Sequence, residues 1–247
     1  MTGRRGRAHL GLLVPFTNTN LEPDLALMAP PGLVLHTARM GGYDADQIPD
    51  AGQMQALGAA DLDGPLQLLA GARPDVILYG CTSATLTHGP TFDADLRDRI
   101  STFGGAATVT AAGALVEALD ALNLRKIGFA SPYVSAINDL AVEFLELSGF
   151  DIVNRSEVAS VLDNEGQGRL QPADVEALGL RADAEEAEAI VLSCTDMRSV
   201  EVIETLEAKT GKPVVTSNQA MLFAALSRLG LTEPVAGFGA LLAGLRP

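Results

Sequence analysis

The sequence predicts an α/β protein made of two similar halves, each a parallel sheet flanked by helices. Three observations predict it. Short, almost wholly apolar strand signals alternate with helix signals along the whole chain, as expected of strands buried between two layers of helices. The 247 residues suffice for two compact domains. Two stretches of the first half also recur in the second. Leu10-Gly11-Leu12-Leu13-Val14-Pro15-Phe16 lines up with Ile127-Gly128-Phe129-Ala130-Ser131-Pro132-Tyr133, and residues 75–83 line up with residues 188–196 at nearly the same separation.

Residues 9–15 (HLGLLVP) form the first strand, and residues 23–29, bounded by proline, have room for only a short helix. Residues 32–36 (GLVLH) are the next strand, 61–72 a helix and 74–79 (PDVILY) a strand. A strong Ala/Leu helix follows at 111–122, with Thr108 or Thr110 as its N-cap. The second half repeats the plan: strand 126–130, helix 136–147, strand 151–156, mostly helix over 172–187, and strand 189–193 (AIVLS). Helix 199–210 and strand 213–216 follow, and then a helix over 219–229 that Ser217 or Asn218 caps. The expected domains are residues 1–115 and 116–216, with 217–247 returning to pack on the first. They are Rossmann-like, pseudo-symmetric about a twofold axis, and face each other across a cleft that each supplies with one cysteine.

Hydrophobic residues make up 47% and charged residues 19%, with 25 Gly and 13 Pro, which excludes a disordered or collagen-like chain. Lys+Arg number 17 against 31 Asp+Glu, a formal net charge of -14. Such a chain has no global field for phosphate backbones or anionic lipid, so neither nucleic acid nor membrane is an expected partner. Aromatics at 4% with no Trp offer no stacking platform for bases. The start, MTGRRGRAHLGLLVPF, imitates a signal peptide, but its apolar stretch breaks at Pro15 and runs into Thr17-Asn18-Thr19-Asn20 without a cleavage pattern. No apolar run approaches the ~20 residues of a membrane helix. Two cysteines are too few for a disulfide scaffold, which points to a reducing, cytoplasmic setting. No CxxC, HExxH or clustered His/Cys spacing is present, so no metal is expected.

Cys81 and Cys194 each precede a threonine just after an apolar strand, in the carboxyl-end loop where open α/β sheets bind ligands. A helix N-terminus there presents free N–H groups that hold a carboxylate and draw a thiol pKa down. A lone cysteine is more often a small buried hydrophobe, but two in matched contexts argue for chemistry. Two thiols facing one small acid suit proton abstraction and return, or nucleophilic addition with acid assistance. No cofactor is needed. The hydroxyls of Thr82, Ser83 and Thr195, together with nearby N–H groups, suit a developing enediolate, although such residues also serve as ordinary helix caps.

The segments GLLVPFTNTNLEPD (11–24), YGCTSATLTHG (79–89), SPYVSAIND (131–139), VLDNEGQGRL (161–170), LSCTD (192–196) and TSNQA (216–220) resemble the aspartate/glutamate racemase superfamily. Within it they are most similar to the branch of maleate cis-trans isomerases and arylmalonate decarboxylases. The resemblance implies a cofactor-independent isomerase acting on a small dicarboxylate, with Cys81 and Cys194 as the catalytic pair. It implies that Asn18, Tyr133 and Asn164 contact substrate, against the plainer readings of two turn asparagines and one core aromatic. It also implies a homodimer. The decarboxylases have glycine where this chain has Cys81, and the isomerases are usually more apolar at Thr82-Ser83. Racemisation of a small amino or hydroxy acid, an arylmalonate-type decarboxylation and a non-catalytic small-acid sensor therefore remain as alternatives. His9, His36 and His88 read as structural, Glu22 and Asp24 as first-turn charges, and Arg169 and Arg198 as solvent-facing charges near the motifs.

Overall fold

The computed structural model describes residues 4–42 and 44–245; both ends of the first expected domain with its returning segment, and Tyr43, lie outside the described residues. Strands β1 (Ala8–Pro15), β2 (Leu33–Met40), β3 (Val76–Tyr79) and β4 (Ala107–Thr110) form a parallel sheet in the order β2-β1-β3-β4. Strands β5 (Lys126–Ser131), β6 (Asp151–Glu157), β7 (Ala189–Leu192) and β8 (Val214–Thr216) form a second parallel sheet in the order β6-β5-β7-β8. The order is the same twice, so the internal repeat in the sequence is a repeat of topology. β1 is buried at every position and lies between two neighbours, as its apolar run requires.

The first half also holds helices α1 (Leu21–Met28), α2 (Ala51–Gly58), α3 (Asp63–Gly71), α4 (Thr82–Leu86), α5 (Pro90–Gly104) and α6 (Ala111–Ala121). The second holds α7 (Ser135–Leu147), α8 (Asn164–Gly168), α9 (Pro172–Ala182) and α10 (Ile203–Thr210), followed by α11 (Ser217–Arg228) and α12 (Gly239–Ala243). Thr110 caps α6, its side chain accepting the Gly113 N–H. The expected cap of α11 at Ser217 or Asn218 is corrected to Thr216, and the helix starts at Ser217 instead of residue 219. Thr216 ends β8 with extended backbone, its hydroxyl accepts the Gln219 N–H, and Gln219 reaches back in a capping box. Helices α6 and α11 pack on each other; α11 also lies against α1, β3 and β4, and α6 against β8. Helices α6 and α11 thus bridge the two sheets. Among the described residues no helix is long and apolar enough to cross a membrane.

The repeat preserves a glycine for a packing reason. A Cβ on Gly128 of β5 would lie 2.1 Å from the Ala182 carbonyl oxygen at the end of α9. A Cβ on Gly11 of β1 would lie 3.0 Å from side-chain atoms of Leu69 and Pro74. In both halves the central strand lets a neighbouring segment approach closely, but only Gly128 meets backbone. Gly128→Ala is expected to destabilise by about 2–3 kcal/mol, and Gly11→Ala by less, because a leucine tip yields where a carbonyl does not. Denaturant midpoints at unchanged m-value measure both.

Two buried carboxyls pack beside these layers. Burial raises Asp24 to about 7, opposed by the Asn218 side-chain amide, and raises Asp93 to about 6, opposed by the Thr110 hydroxyl. A group whose folded pKa is raised favours the fold most below the ordinary carboxylate range, and that contribution is lost as pH rises through the folded value. Stability from Asp24 should therefore fall between pH 3.8 and about 7. Asp24→Asn should flatten the dependence of melting temperature on pH across that window, which thermal melts at stepped pH would show.

Candidate active site

The carboxyl ends of the two central strand pairs converge. β3 is followed by Gly80-Cys81, and Cys81 stands in extended backbone at the N-cap of α4. β7 is followed by Ser193-Cys194-Thr195-Asp196 in a turn, not by a helix start as at Cys81. The turn after β1 brings Asn18, and the turn after β5 brings Tyr133. Between them lies a cavity of about 40 Å³ onto which both cysteines open, with Asn18, Ser83, Tyr133, Asn164 and Thr195 in its wall. That volume holds about three waters. Asn164 and Pro49 also line the cavity, and Asn164 Nδ2 donates to the Ala45 carbonyl at 3.2 Å.

The hydrogen bonds cross from one half to the other. Asn18 Nδ2 donates to Thr195 Oγ1 at 3.0 Å, and Thr195 Oγ1 donates to the Gly80 carbonyl at 3.0 Å. Asn18 Oδ1 meanwhile accepts the Asn20 and Leu21 N–H groups at 3.1 and 3.0 Å. Asn18 is thus both the turn residue and a wall residue, since the amide oxygen shapes the turn while the nitrogen faces across. Arg39 supports the same turn from behind, donating to the Asn18 carbonyl at 2.8 Å.

The two sulfurs sit in different fields. Burial raises the Cys81 thiol above its ordinary value, opposed by hydrogen bonds from the Ala84 and Ser83 N–H groups and from the Ser83 hydroxyl, 3.7 Å away. Burial pushes Cys194 up to about 12, reinforced by the Asp196 carboxylate and opposed by the Asp196 N–H at 3.4 Å and by Tyr133. The sequence-based expectation that helix N–H groups lower both thiols is therefore corrected. At Cys194 no helix starts, and at Cys81 the N–H groups of a single short helix do not offset full burial. Tyr133 lies against Cys194 and the Thr82 hydroxyl, and burial keeps its phenol protonated far above the ordinary range.

Not every expected residue reaches the cavity. Thr82 lies behind the wall, fully buried, donating to Ser217 Oγ at 3.0 Å and touching Tyr133. His88 stacks on Phe92 with Nε2 at 2.8 Å from the Gln55 carbonyl, and Arg169 and Arg198 pair with Glu165 and Glu201. Met54, Gln167 and Asp196 join the wall without having been singled out. Gln167 and Asp196 stand inside the matched segments 161–170 and 192–196, so the signal was there; Met54 has none beyond its apolar character. Among the described residues no three His, Cys, Asp or Glu side chains group so as to hold a metal ion.

A model of the arylmalonate decarboxylase family matches residues 10–242. Among curated relatives, a maleate isomerase of Nocardia farcinica is 32% identical over 96% of this chain and 96% of its own length. One of Pseudomonas putida is 29% identical over 95% of this chain and 97% of its own. Among solved structures, a cysteine-to-serine mutant of Nocardia farcinica maleate cis-trans isomerase with a covalently bound succinylcysteine intermediate superposes with a TM-score of 0.88 at 27% identity, covering 96% of this chain and 98% of that one. The chain therefore belongs to the arylmalonate decarboxylase family, in the branch of the aspartate/glutamate racemase superfamily that also holds the maleate isomerases.

Proposed function

We propose that this chain is a cofactor-independent cis-trans isomerase that converts maleate to fumarate with two cysteines. The observation that carries it is that two buried thiols, one from each half, open onto one small cavity. Relatives named maleate isomerases over nearly the whole chain support the substrate. A single-thiol decarboxylation would leave one of the cysteines idle.

Asn18, Asn164, Ser83 and the Tyr133 hydroxyl supply polar groups that hold the two carboxylates, and Thr195, whose hydroxyl proton goes to the Gly80 carbonyl, orients Asn18 among them. Cys81 is the nucleophile, because the N–H groups at the start of α4 oppose the rise that burial imposes on its thiol, whereas the Asp196 carboxylate reinforces that rise at Cys194. The Cys81 thiolate adds to one alkene carbon, and the electron pair moves onto the neighbouring carbon and its carboxylate as an enediolate. Cys194 gives its proton to that carbon, forming a saturated succinyl thioether. Rotation about the new single bond follows. Cys194 then takes a proton back, the carbon–sulfur bond breaks, and the trans double bond forms. Atoms and charge balance without any added group. The succinylcysteine seen in the Nocardia farcinica protein has the same chemical form. Residues 1–115 and 116–216 acting as two lobes, a dimeric assembly and a cytoplasmic setting belong to the same proposal; light scattering of purified protein checks the dimer.

Purified protein should convert maleate to fumarate with nothing added. Cys194→Ser should lower kcat by about a hundredfold or more, as loss of a positioned acid–base group does. Cys81→Ser should lose more, with the double variant no worse than the weaker single one. No turnover at high enzyme concentration, or a serine variant with near-normal turnover, would remove the assignment. Alkylation offers an independent check. Both raised thiols should react slowly near neutral pH and faster as pH rises, with Cys81 modified before Cys194; peptide mapping after timed iodoacetamide treatment reads the order. Cys194 reacting first would contradict the assigned roles.

A further inference from the structure

The Asp196 carboxylate lies in the wall of a cavity assigned to a dianion, where a negative charge repels substrate. Its partners explain why it is there. Oδ1 accepts the Thr19 N–H at 2.8 Å, the Asn20 N–H at 3.1 Å, the Asn20 side-chain amide at 3.1 Å and the Thr19 hydroxyl at 3.4 Å. The same Asn20 amide is shared with the Asp196 carbonyl at 2.7 Å and the Gly168 carbonyl at 2.9 Å. A Cβ on Gly168 would lie 3.0 Å from Asp196 Oδ2, so glycine keeps that approach open. One acid thus gathers three segments: the turn after β1, the end of α8 and the turn after β7. Each of them carries wall residues, namely Asn18, then Asn164 and Gln167, then Cys194 and Thr195.

We propose that Asp196 is a positioning residue: its carboxylate docks the 17–20 turn of the first half, and with it Asn18, onto the Cys194 turn of the second. It also places a negative charge beside Cys194, which keeps that sulfur a thiol, ready to give a proton. Tyr133 and Cys81 are the other titratable groups that act on Cys194, whereas Asp24, Glu201 and Arg198 act on one another. Burial holds Asp196 at about 6, opposed by the N–H groups it accepts, so at pH 7.5 and above it is ionised. The docking is a matter of hydrogen-bond acceptance at one oxygen, which an asparagine also provides. The influence on Cys194 is a matter of charge, which asparagine lacks. The two effects therefore separate between variants.

Only the kinetic arm of the test rests on the isomerase proposal. Hydrogen exchange at the Thr19 and Asn20 amides should quicken in Asp196→Ala and stay near wild type in Asp196→Asn. The alkylation profile of Cys194 should move to lower pH in Asp196→Asn. With maleate, Asp196→Ala should lower kcat/KM by about a hundredfold through misplacement of the wall, Asp196→Asn should recover most of that loss, and Asn20→Ala should fall between. If Asp196→Ala does not fold, Asp196→Asn and Asn20→Ala decide the matter. Equal loss in the alanine and asparagine variants, no loss in Asn20→Ala, or an unmoved Cys194 profile would each overturn the proposal. A wild-type protein inert toward maleate would instead overturn the isomerase assignment, and the exchange and alkylation arms would still judge Asp196.

Discussion

The Thr195 hydroxyl holds the site together. It accepts from Asn18 and donates to the Gly80 carbonyl, both at 3.0 Å, and so joins the ends of β1, β3 and β7 through one buried oxygen. Buried polar groups must find partners or carry a desolvation cost of about 1–3 kcal/mol each. The two sheets can therefore close only in the register where these bonds form. That register sets Cys81, next to Gly80, and Cys194, next to Thr195, on the two sides of one cavity. The thiol chemistry follows from how the halves are joined.

Electrostatics at this join differ from what an anionic substrate would at first suggest. Among the described residues no lysine or arginine lines the cavity, and Arg39, which supports the Asn18 turn, is spent on backbone carbonyls and on Glu22. Charge on the substrate has to be met by N–H and hydroxyl groups held at short range, which cost little reorganisation because the fold already points them inward. Burial raises both sulfurs but not equally. The first turn of α4 opposes the rise at Cys81, whereas a carboxylate reinforces it at Cys194. The internal repeat equips both halves with the same Cys-Thr step. The next element, a helix in one half and an acid-bearing turn in the other, assigns the two thiols different work.

Much of this was legible in the sequence because the central strands are almost wholly apolar, so residues 9–15, 74–79, 126–130 and 189–193 announce themselves. Helix α5 did not. Its buried residues are Asp93, Leu96 and Ile100 among charged neighbours, which leaves no apolar stripe to read. β4, Ala-Thr-Val-Thr, is too short and polar to stand out from the cap of α6. At the site, Cys81, Cys194, Asn18, Ser83, Tyr133, Asn164 and Thr195 come together in one wall. Thr82 does not, because successive residues of a helix point about 100° apart, and the first residue of α4 is turned onto Ser217. Asp196 stood inside a matched segment, but the partners that give it its place are backbone N–H groups of the 17–20 turn, far away in sequence, so the segment did not mark its role.

The central claim is that Cys81 attacks while Cys194 supplies and recovers the proton. Intact-mass and peptide mass spectrometry of Cys194→Ser after incubation with maleate tests it most directly. The account predicts a stable adduct with the mass of one maleate on the peptide carrying Cys81: water slowly supplies the proton that Cys194 would give, and serine is too weak a base to take it back, so the thioether stays trapped. An adduct on Cys194 in the Cys81→Ser variant, with none on Cys81 in Cys194→Ser, would contradict it.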